Sequence, residues 1–341
     1  MDAKDIDFYS LGFEFIETKI MYISDFKNGE WDQGKLVPFG DIHLSPAACV
    51  LNYGQEIFEG MKALLTSKGD ITLFRPQENA KRFNNSAERI LMPKFDENRF
   101  IEAIKQVVRA NKDYIPPYDS GGALYIRPLM IGSGPILGVK PAKEYKVIIF
   151  TVPVGPYFPQ GFTGIDLEIT KEFTRAAPGG TGYAKTGCNY AGSMMAAKLT
   201  KEKGFSQVIY LDAIHKEFIE EVGTANFFAI INGELLTPTT SGTILPGITR
   251  ISVLELASKK LGITSKEKDI SYKEIFKDSC SEVFCTGTAA VITPIKSVSL
   301  DEKQKVFSGG EPGPYTRKLY ELLTRIQRLD IKDEFNWVVK V

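Results

Sequence analysis

A lysine in a glycine-rich segment is the first residue of this sequence whose setting could support covalent chemistry. Lys185 stands within Pro178-Gly-Gly-Thr-Gly-Tyr-Ala-Lys-Thr-Gly-Cys-Asn-Tyr190, between two glycine-bearing turns. Glycine lets a ligand approach the backbone closely. Burial would disfavour the ammonium form of the lysine, and a neutral amine is a nucleophile able to form a Schiff base. Taken alone, the segment is also compatible with a surface lysine in a flexible loop.

An acidic pair occurs in Ile219-Glu-Glu-Val-Gly-Thr-Ala-Asn226, where the chain leads into a predicted strand. Glu221 comes directly before Val222-Gly223 and could lie against the nitrogen of a protonated heterocycle, the arrangement that an electron-sink cofactor of the pyridine type needs. For Glu220 we expect a carboxylate at a solvated turn.

Two further segments suit the binding of anions. In Ser241-Gly-Thr-Ile-Leu-Pro-Gly-Ile-Thr-Arg250, a proline and a glycine precede a predicted helix. The N–H groups of Ile248 and Thr249 would point outward with the positive end of the helix dipole, which favours a phosphate. In Val283-Phe-Cys-Thr-Gly-Thr-Ala-Ala290, Thr288 could bind a phosphate or a carboxylate. A plain helix start and a generic strand end are the alternatives.

Mixed strands and helices must position these segments. Apolar periodicity and turn residues predict strands over 123–131, 146–152, 207–212 and 226–231, and helices over 96–111, 190–203, 248–261 and 314–328. Asp96 is a plausible N-cap, Asn232-Gly233 predicts a tight hairpin, and Ser271 with Glu274 forms a capping box.

A segment rich in proline interrupts this pattern near the middle of the chain. Residues 153–161 hold three prolines and two glycines, and proline cannot continue a central strand. We therefore predict a smaller N-terminal α/β domain over 1–152, a linker over 153–161 and a larger C-terminal domain over 162–341.

Composition excludes several classes of function. The 42 basic and 42 acidic residues balance, which gives no reason to expect nucleic acid or an anionic membrane as a partner. The N-terminus lacks the apolar core of a signal peptide, and no apolar run approaches the roughly 20 residues of a spanning helix. With two histidines and four scattered cysteines, we predict no metal site, reduced thiols and a cytoplasmic location.

Together these segments supply a lysine that can form a Schiff base with an aldehyde, a carboxylate for a pyridinium nitrogen and anion-binding turns. With them, the chain resembles the branched-chain amino-acid aminotransferases, which are class IV (fold-type IV) enzymes dependent on pyridoxal 5′-phosphate (PLP). The resemblance runs from about Gly12 to the region of Trp337 and includes 51–63 (Leu-Asn-Tyr-Gly-Gln-Glu-Ile-Phe-Glu-Gly-Met-Lys-Ala), 124–128 (Leu-Tyr-Ile-Arg-Pro), the Lys185 segment, 221–224, 245–250 and 287–289.

The resemblance implies a fold and an activity. The fold would be mixed α/β (α+β), with two domains like those of D-amino acid aminotransferase and the cofactor at the domain interface. The activity would be transamination of leucine, isoleucine and valine with 2-oxoglutarate, giving branched 2-oxo acids and L-glutamate in amino-acid biosynthesis.

It also implies a set of cofactor-binding residues. Lys185 would form the Schiff base, Glu221 would bind the pyridine nitrogen, and Tyr190 would hydrogen-bond the phenolic oxygen. Arg82 would bind the phosphate, and the apolar stripe Phe83, Ala87, Ile90 and Leu91 places this arginine beside a buried helix face. The remaining cofactor contacts would be Thr224, Leu245 against the ring, and Ile248, Thr249 and Thr288 at the phosphate.

For the substrate, Tyr125 and Arg127 lie two positions apart on a predicted strand and therefore share a face. By the resemblance, Tyr125 lines the pocket and Arg127 binds the distal carboxylate of glutamate; a purely structural pair is the alternative. The other substrate-binding residues would be Phe13, Tyr53, Phe58, Tyr157, Thr288 and Ala289. Tyr53 and the loop carrying Leu137 and Val139 would reach the site of a neighbouring subunit, which implies a homodimer.

One departure and three rivals complete the sequence interpretation. Some members of the family carry a redox C-x-x-C after Gly-Thr-Ala, where this chain has Ala290 and Thr293. A D-amino acid aminotransferase or an aminodeoxychorismate lyase would share the lysine, the glutamate and the phosphate site, but the Asn52-Tyr-Gly-Gln and Tyr125-Ile-Arg blocks argue against both. The third rival is a protein of the same fold that binds PLP or a phosphate ligand without catalysis.

Overall fold

The computed structural model describes residues 2–156 and 161–341. The chain folds into two compact units. The first comprises Met1–Pro159, Ala184–Gly187 and Arg325–Val341, and the second comprises Gln160–Tyr183 and Cys188–Thr324. Each unit is built on its own sheet.

The first unit combines a largely antiparallel sheet with helices. In chain order its elements are β1 (Ile20–Lys27), β2 (Glu30–Trp31), β3 (Lys35–Pro38), α1 (Cys49–Tyr53), β4 (Glu56–Phe58), β5 (Met61–Leu65), β6 (Ile71–Phe74), α2 (Pro76–Arg89), α3 (Glu97–Ala110), β7 (Ala123–Gly132) and β8 (Tyr145–Val154). The strands follow the order β6-β5-β7-β8-β1-β2, with β3 paired to β1 and β4 paired to β7.

The two faces of this sheet differ because its strands alternate in burial. Leu124, Ile126 and Met130 of β7 belong to an apolar core that also contains Phe83 of α2 and Ile104 of α3. Burying each such side chain contributes roughly 1.5–3 kcal/mol. The residues between them on β7 point to the other face, where Tyr125, Arg127 and Leu129 are half-buried. The helices therefore cover one face, and two of the predicted substrate residues, Tyr125 and Arg127, lie on the opposite one.

The second unit contains β9 (Ile165–Thr170), α4 (Gly187–Ala191), α5 (Met194–Glu202), β10 (Gln207–Leu211), β11 (Ile219–Val222), β12 (Ala225–Ile231), β13 (Glu234–Thr237), α6 (Ile248–Leu261), β14 (Ser265–Glu267), α7 (Tyr272–Ile275), β15 (Cys280–Gly287), β16 (Val291–Leu300), β17 (Lys303–Val306) and the start of α8 (Pro314–Gln327). Strand β11 pairs with both β10 and β12, so β11-β10-β9-β16-β15-β12 forms a closed ring. Its apolar core includes Ile209, Val222 and Phe227.

Several local predictions are confirmed. Each of them concerns a feature that depends on residues close together in the sequence. Helix α6 runs over Ile248–Leu261 and ends at left-handed Gly262. The side chain of Asp96 accepts a hydrogen bond from Arg99 N–H at the start of α3. The Ser271–Glu274 capping box is present, and a hairpin joins β12 to β13 through Asn232 and Gly233, both with positive φ.

The single helix predicted over 190–203 is wrong. The chain forms two helices there, α4 (Gly187–Ala191) and α5 (Met194–Glu202). Gly192 and Ser193 lie at the break, and the Ser193 hydroxyl donates to Tyr190 O at 2.7 Å. Glycine is costly inside a helix and serine competes for backbone groups, so this pair interrupts the helix despite its apolar periodicity.

The units also divide the chain differently from the predicted boundaries, which assigned residues 162–341 to one C-terminal domain. The terminal strand β18 (Val338–Lys340) pairs antiparallel with β6 of the first unit. Arg328 donates to the carbonyl oxygens of Tyr118 and Gly122, each at 3.0 Å. Pairing across such a separation leaves no local pattern in the sequence. Within the described ranges, no helix has the length and apolarity required to cross a bilayer.

Candidate active site

Hydrogen bonds to the backbone N–H and carbonyl of Lys185 fix its position within the first unit. Its N–H donates to Ser86 Oγ at 2.9 Å, and its carbonyl accepts from Phe58 N–H at 3.0 Å. Its Nζ lies 4.4 Å from the centroid of the Phe58 ring. The side chain therefore extends from an anchored backbone over an apolar surface, which limits the positions open to the amine.

Strand β4 also binds the two residues after the lysine. Thr186 Oγ1 donates to the carbonyl of Glu56 at 2.7 Å, and Gly187 N–H donates to the Glu56 carboxylate. A Cβ at position 187 would collide with Glu56 Oε1. The glycine that follows the Lys185-Thr186 pair therefore allows its N–H to approach the Glu56 carboxylate closely.

Arg127 and Phe58 form the second part of the site in this unit. The Arg127 guanidinium lies 4.8 Å from the Phe58 centroid, and its Nη2 donates to Tyr125 Oη at 3.1 Å. The Arg127 Nε is buried and makes no hydrogen bond to any residue that the structure describes. Phe13 packs edge-on against Tyr125, with ring centroids 6.2 Å apart. A cation and an apolar wall thus lie beside the lysine, as a pocket for both carboxylates and aliphatic side chains requires.

Tyr53 contacts a loop that carries exposed apolar side chains. Its side chain is 40% exposed, and its Oη accepts from Gly138 N–H at 2.9 Å. Leu137 and Val139, on either side of that glycine, are 91% and 90% exposed. The contact joins Tyr53 to this loop, whereas Tyr157 lies outside the described residues.

Arg82 forms a buried ion pair with a glutamate that our sequence interpretation missed. Its Nε and Nη2 lie 2.7 and 2.8 Å from the two carboxylate oxygens of Glu59, and the side chains are 8% and 0% exposed. Asn79 Nδ2 donates to the same carboxylate at 2.8 Å. The Glu59 carboxylate therefore accepts from both Nε and Nη2 of the guanidinium. Only the tertiary structure identifies Glu59 as the residue that orients this arginine.

Replacing Arg82 with leucine is expected to destabilise the protein by about 3–5 kcal/mol, because Glu59 then remains buried without a counter-charge. The double variant Arg82→Leu/Glu59→Leu is expected to recover most of this loss while binding PLP at least about tenfold more weakly than the wild type. Urea unfolding and cofactor titration measure the two effects. Wild-type affinity for PLP in the folded double variant contradicts a phosphate-binding role.

In the second unit, a row of polar side chains crosses four paired strands. Tyr210 pairs with Glu221, Glu221 with Asn226, and Asn226 with Thr286, so the four share one face of the ring. All four are buried, and Thr286 Oγ1 makes no hydrogen bond within the described part of the chain. Buried polar groups normally have partners. This face therefore has the character of a binding surface.

Glu221 is held from two sides within this row. Asn226 Nδ2 donates to its Oε1 at 2.7 Å and also to Leu245 O at 2.9 Å. Arg175 Nε lies 2.7 Å from Oε2 as a close ion pair, although the angle is unsuitable for an aligned hydrogen bond. The guanidinium supplies the counter-charge that a buried carboxylate requires.

Arg175 also organises the backbone around the site. Its Nη2 donates to the carbonyls of Gly182 and Thr243, which belong to the glycine-rich segment and to the stretch before α6. Sequence reasoning identified Glu221 but missed Arg175 and Asn226. A charged residue ten positions before Lys185, next to a glycine-rich segment, was the signal available for Arg175.

The solvated turn expected for Glu220 is wrong. Glu220 lies on β11 and is 6% exposed. Burial raises the pKa of its carboxyl group, and the Thr243 hydroxyl and the Arg175 charge oppose that rise in part. Strand β11 is covered on both faces, so neither residue of the acidic pair reaches solvent.

The start of α6 has the features of an anion site. Its N-cap is Gly247, and within the described chain no side chain caps the first turn. The N–H groups of Ile248 and Thr249 therefore lack helical acceptors. Arg250 anchors this turn, because its Nη2 lies 2.8 Å from Pro238 O and 3.0 Å from Glu267 Oε2. A Cβ at position 247 would collide with Asn226 Oδ1, so the helix start lies directly against the Glu221 partner.

The remaining predicted residues lie at the ends of elements in the same unit. Thr224 is exposed in the turn between β11 and β12, and Leu245 is half-buried just before α6. Thr288 and Ala289 are half-buried in the turn after β15, and Tyr190 is half-buried in α4. Considered unit by unit, the residues fit PLP. The first unit supplies the Lys185 amine and the Arg82 guanidinium. The second supplies the Glu221 carboxylate and the start of α6, which no described side chain caps.

Comparison with known proteins agrees with this chemistry. The family model for amino-transferase class IV matches residues 56–298. The crystal structure of the branched-chain amino acid aminotransferase of Escherichia coli aligns with a TM-score of 0.79 at 29% identity, covering 94% of this chain and 99% of that one. That of the archaeon Thermoproteus uzoniensis, solved with norvaline, aligns with a TM-score of 0.79 at 27% identity, covering 95% and 99%. Fold and site therefore define a class IV aminotransferase.

Curated relatives narrow the class. The branched-chain-amino-acid aminotransferase of Helicobacter pylori is 44% identical over 341 residues, which cover 100% of this chain and 99% of that protein. That of Haemophilus influenzae is 43% identical over 344 residues, with 99% of each covered. A chloroplastic relative from Humulus lupulus is 44% identical over 342 residues, with 100% and 83% covered. The chain belongs to the branched-chain amino-acid aminotransferases of class IV, and the predicted cofactor, PLP, is that of the family.

Proposed function

We propose that this protein transfers the amino group of leucine, isoleucine and valine to 2-oxoglutarate, giving branched 2-oxo acids and L-glutamate. The observation that carries this proposal is the position of Phe58, whose ring has Lys185 Nζ 4.4 Å away and the Arg127 guanidinium 4.8 Å away. An apolar wall with one cation near it suits an aliphatic side chain and the distal carboxylate of glutamate in turn. Another branched-chain amino acid aminotransferase was solved with N-(5′-phosphopyridoxyl)-L-glutamate. It is 28% identical to this chain and aligns with a TM-score of 0.76.

Bound PLP supplies an electron sink for the carbanion formed at Cα of the amino acid. The chain's residues have the following roles in the proposal. Lys185 would hold the cofactor in the resting enzyme, and its freed Nζ would carry the proton between the substrate Cα and C4′ of the cofactor. Glu221 keeps a negative charge against the ring nitrogen, while Arg175 and Asn226 hold that carboxylate in place.

Other residues bind and orient. Arg82 and the N–H groups of Ile248 and Thr249 bind the phosphate, for which a helix start is suited. The full set further includes Tyr190 at the phenolic oxygen, Leu245 against the ring, Thr224 and Thr288 as additional cofactor contacts, Arg127 and Tyr125 for the substrate, Phe13, Tyr53, Phe58 and Tyr157 for its aliphatic side chain, and Ala289 together with Thr288 beside it. The buried Arg127 Nε, which lacks a hydrogen bond among the described residues, supports its role in binding a carboxylate.

A homodimer is part of this proposal. Leu137 and Val139 are 91% and 90% exposed, and the loop that carries them is tied to Tyr53. Large apolar side chains so exposed are typical of surfaces that another subunit covers. We also propose a cytoplasmic location, for which the four cysteines, all free thiols, are suited.

A substrate panel with cofactor mapping tests the function. We expect L-leucine, L-isoleucine and L-valine to react with 2-oxoglutarate, and borohydride reduction of the holoenzyme to label Lys185. D-alanine and aminodeoxychorismate test the two rivals within the class. A preference for either, or a label on another lysine, contradicts the proposal. Purified protein that stays colourless after PLP is added indicates a protein without this activity.

A further inference from the structure

Glu56 lies beside the lysine and has no role in the function proposed above. It is on β4, where Phe58 N–H donates to Lys185 O at 3.0 Å and Thr186 Oγ1 donates to Glu56 O at 2.7 Å. Its carboxylate accepts from the N–H of Gly187, two residues after the lysine. These contacts fix a carboxylate on the segment that carries the amine.

The charged groups that act on Glu56 come from two other elements. Arg127 of β7 and Lys185 both lower the pKa of its carboxyl group, while burial, the larger effect, raises it. The backbone N–H of Gly187 also favours the ionised form. From α2, the neutral Ser86 contacts the lysine backbone. The next carboxylate along the chain, Glu59, is paired with Arg82 of α2. Both Lys185 and Arg127 therefore act on the Glu56 carboxylate.

We propose that Glu56 is a positioning residue for Lys185, acting through its hydrogen bond to Gly187 and through its negative charge, which stabilises the protonated lysine nitrogen. This inference rests on the proposed function only in taking Lys185 as the lysine that holds the cofactor. Partly buried charges interact more strongly than charges in water, because the surrounding dielectric constant is lower.

The direction of the effect follows from the charge. A negative carboxylate favours the protonated lysine nitrogen, so removing it lets that nitrogen lose its proton at a lower pH. A change of about one pH unit is expected when one such charge is removed from a partly buried site. As the pH falls through the raised pKa of Glu56 itself, the carboxylate is protonated and its influence on the lysine disappears.

Two variants separate the effect of the Glu56 charge from the effect of its hydrogen bond to Gly187. Glu56→Gln removes the charge and retains an oxygen that can accept from Gly187 N–H, whereas Glu56→Ala removes both. Glu144→Gln is the matched control, because Glu144 also belongs to the first unit, its side chain is 45% exposed, and its partner is Lys27 at 3.8 Å. Thermal unfolding of each variant establishes that it is folded.

Two measurements report on the lysine. In the protein freed of PLP, acylation of Lys185 is followed by mass spectrometry across pH, which gives the midpoint of its amine. In the holoenzyme, the absorbance of the bound cofactor is titrated with pH. We expect Glu56→Gln to lower both midpoints by about one unit, Glu56→Ala to lower them at least as much, and Glu144→Gln to leave them unchanged.

The outcomes are decisive in either direction. Midpoints in Glu56→Gln within about 0.2 units of the wild type, or a shift found only in Glu56→Ala, overturn the action through charge. If Glu56→Ala does not fold, Glu56→Gln decides alone. The measurement on the PLP-free protein tests the Glu56 inference independently of the proposed function. A shifted amine in a protein whose borohydride label lies elsewhere supports the Glu56 inference and contradicts the proposed role of Lys185.

Discussion

Replacing Lys185 with alanine is expected to lower the rate of transamination of L-leucine by at least about 10⁴-fold, since the variant loses both the covalent attachment and the general base. The substitution removes the amine 4.4 Å from Phe58 and leaves the backbone contacts to Ser86 and Phe58 available. The variant should therefore fold and still bind PLP without a covalent bond. Single-turnover absorbance changes with L-leucine measure the loss.

Chemical rescue sharpens this test. Added methylamine or ethylamine is expected to restore part of the rate in Lys185→Ala, because a free amine can take the place of the missing proton carrier. Lys198→Ala is the control, as that side chain is 70% exposed on α5 and lies 3.7 Å from Glu202. A Lys185→Ala protein that transaminates L-leucine at the wild-type rate shows that another group performs the proton transfer.

Replacing Glu221 with glutamine is expected to slow the same reaction by about 10²–10³-fold, the usual cost of losing one preorganised electrostatic contact in an active site. Glutamine cannot hold a negative charge against a protonated ring nitrogen. The variant also leaves the Arg175 cation without its partner 2.7 Å away, which disfavours a proton on that nitrogen still further. The pH dependence of the cofactor absorbance and the half-reaction with L-leucine measure the effect.

The neighbouring residue supplies a matched control. Glu220→Gln changes a carboxylate that is also buried and on the same strand, at the register shift where β11 pairs with β10. We expect its rate to stay within about threefold of the wild type, a change below about 0.7 kcal/mol in activation free energy by the usual conversion. Equal losses in the two variants indicate that the destabilisation of β11, and not the contact to the cofactor, causes the slowing.

Local features of the fold could be predicted because they depend on residues close in sequence. Helix α6 and its glycine stop, the capping box at Ser271 and the hairpin at Asn232-Gly233 each follow from side-chain chemistry within a few positions. The break at Gly192-Ser193 was missed because apolar periodicity continues across it. The position of β18 beside β6 was missed because strand pairing over that separation leaves no local pattern.

The same distinction, between what the sequence predicts and what only folding decides, applies to the candidate site. The resemblance of its motifs, in their order, to those of a known family predicted a class IV aminotransferase of the branched-chain type, and it singled out Lys185, Glu221 and Arg82, whose roles stay predictions. Only the tertiary structure decided which residues hold them: Glu56 beside the lysine, Arg175 and Asn226 on Glu221, and Glu59 on Arg82. The reason is physical. A reactive group is recognisable from its own chemistry, but its charge and orientation depend on partners that folding brings from distant parts of the chain.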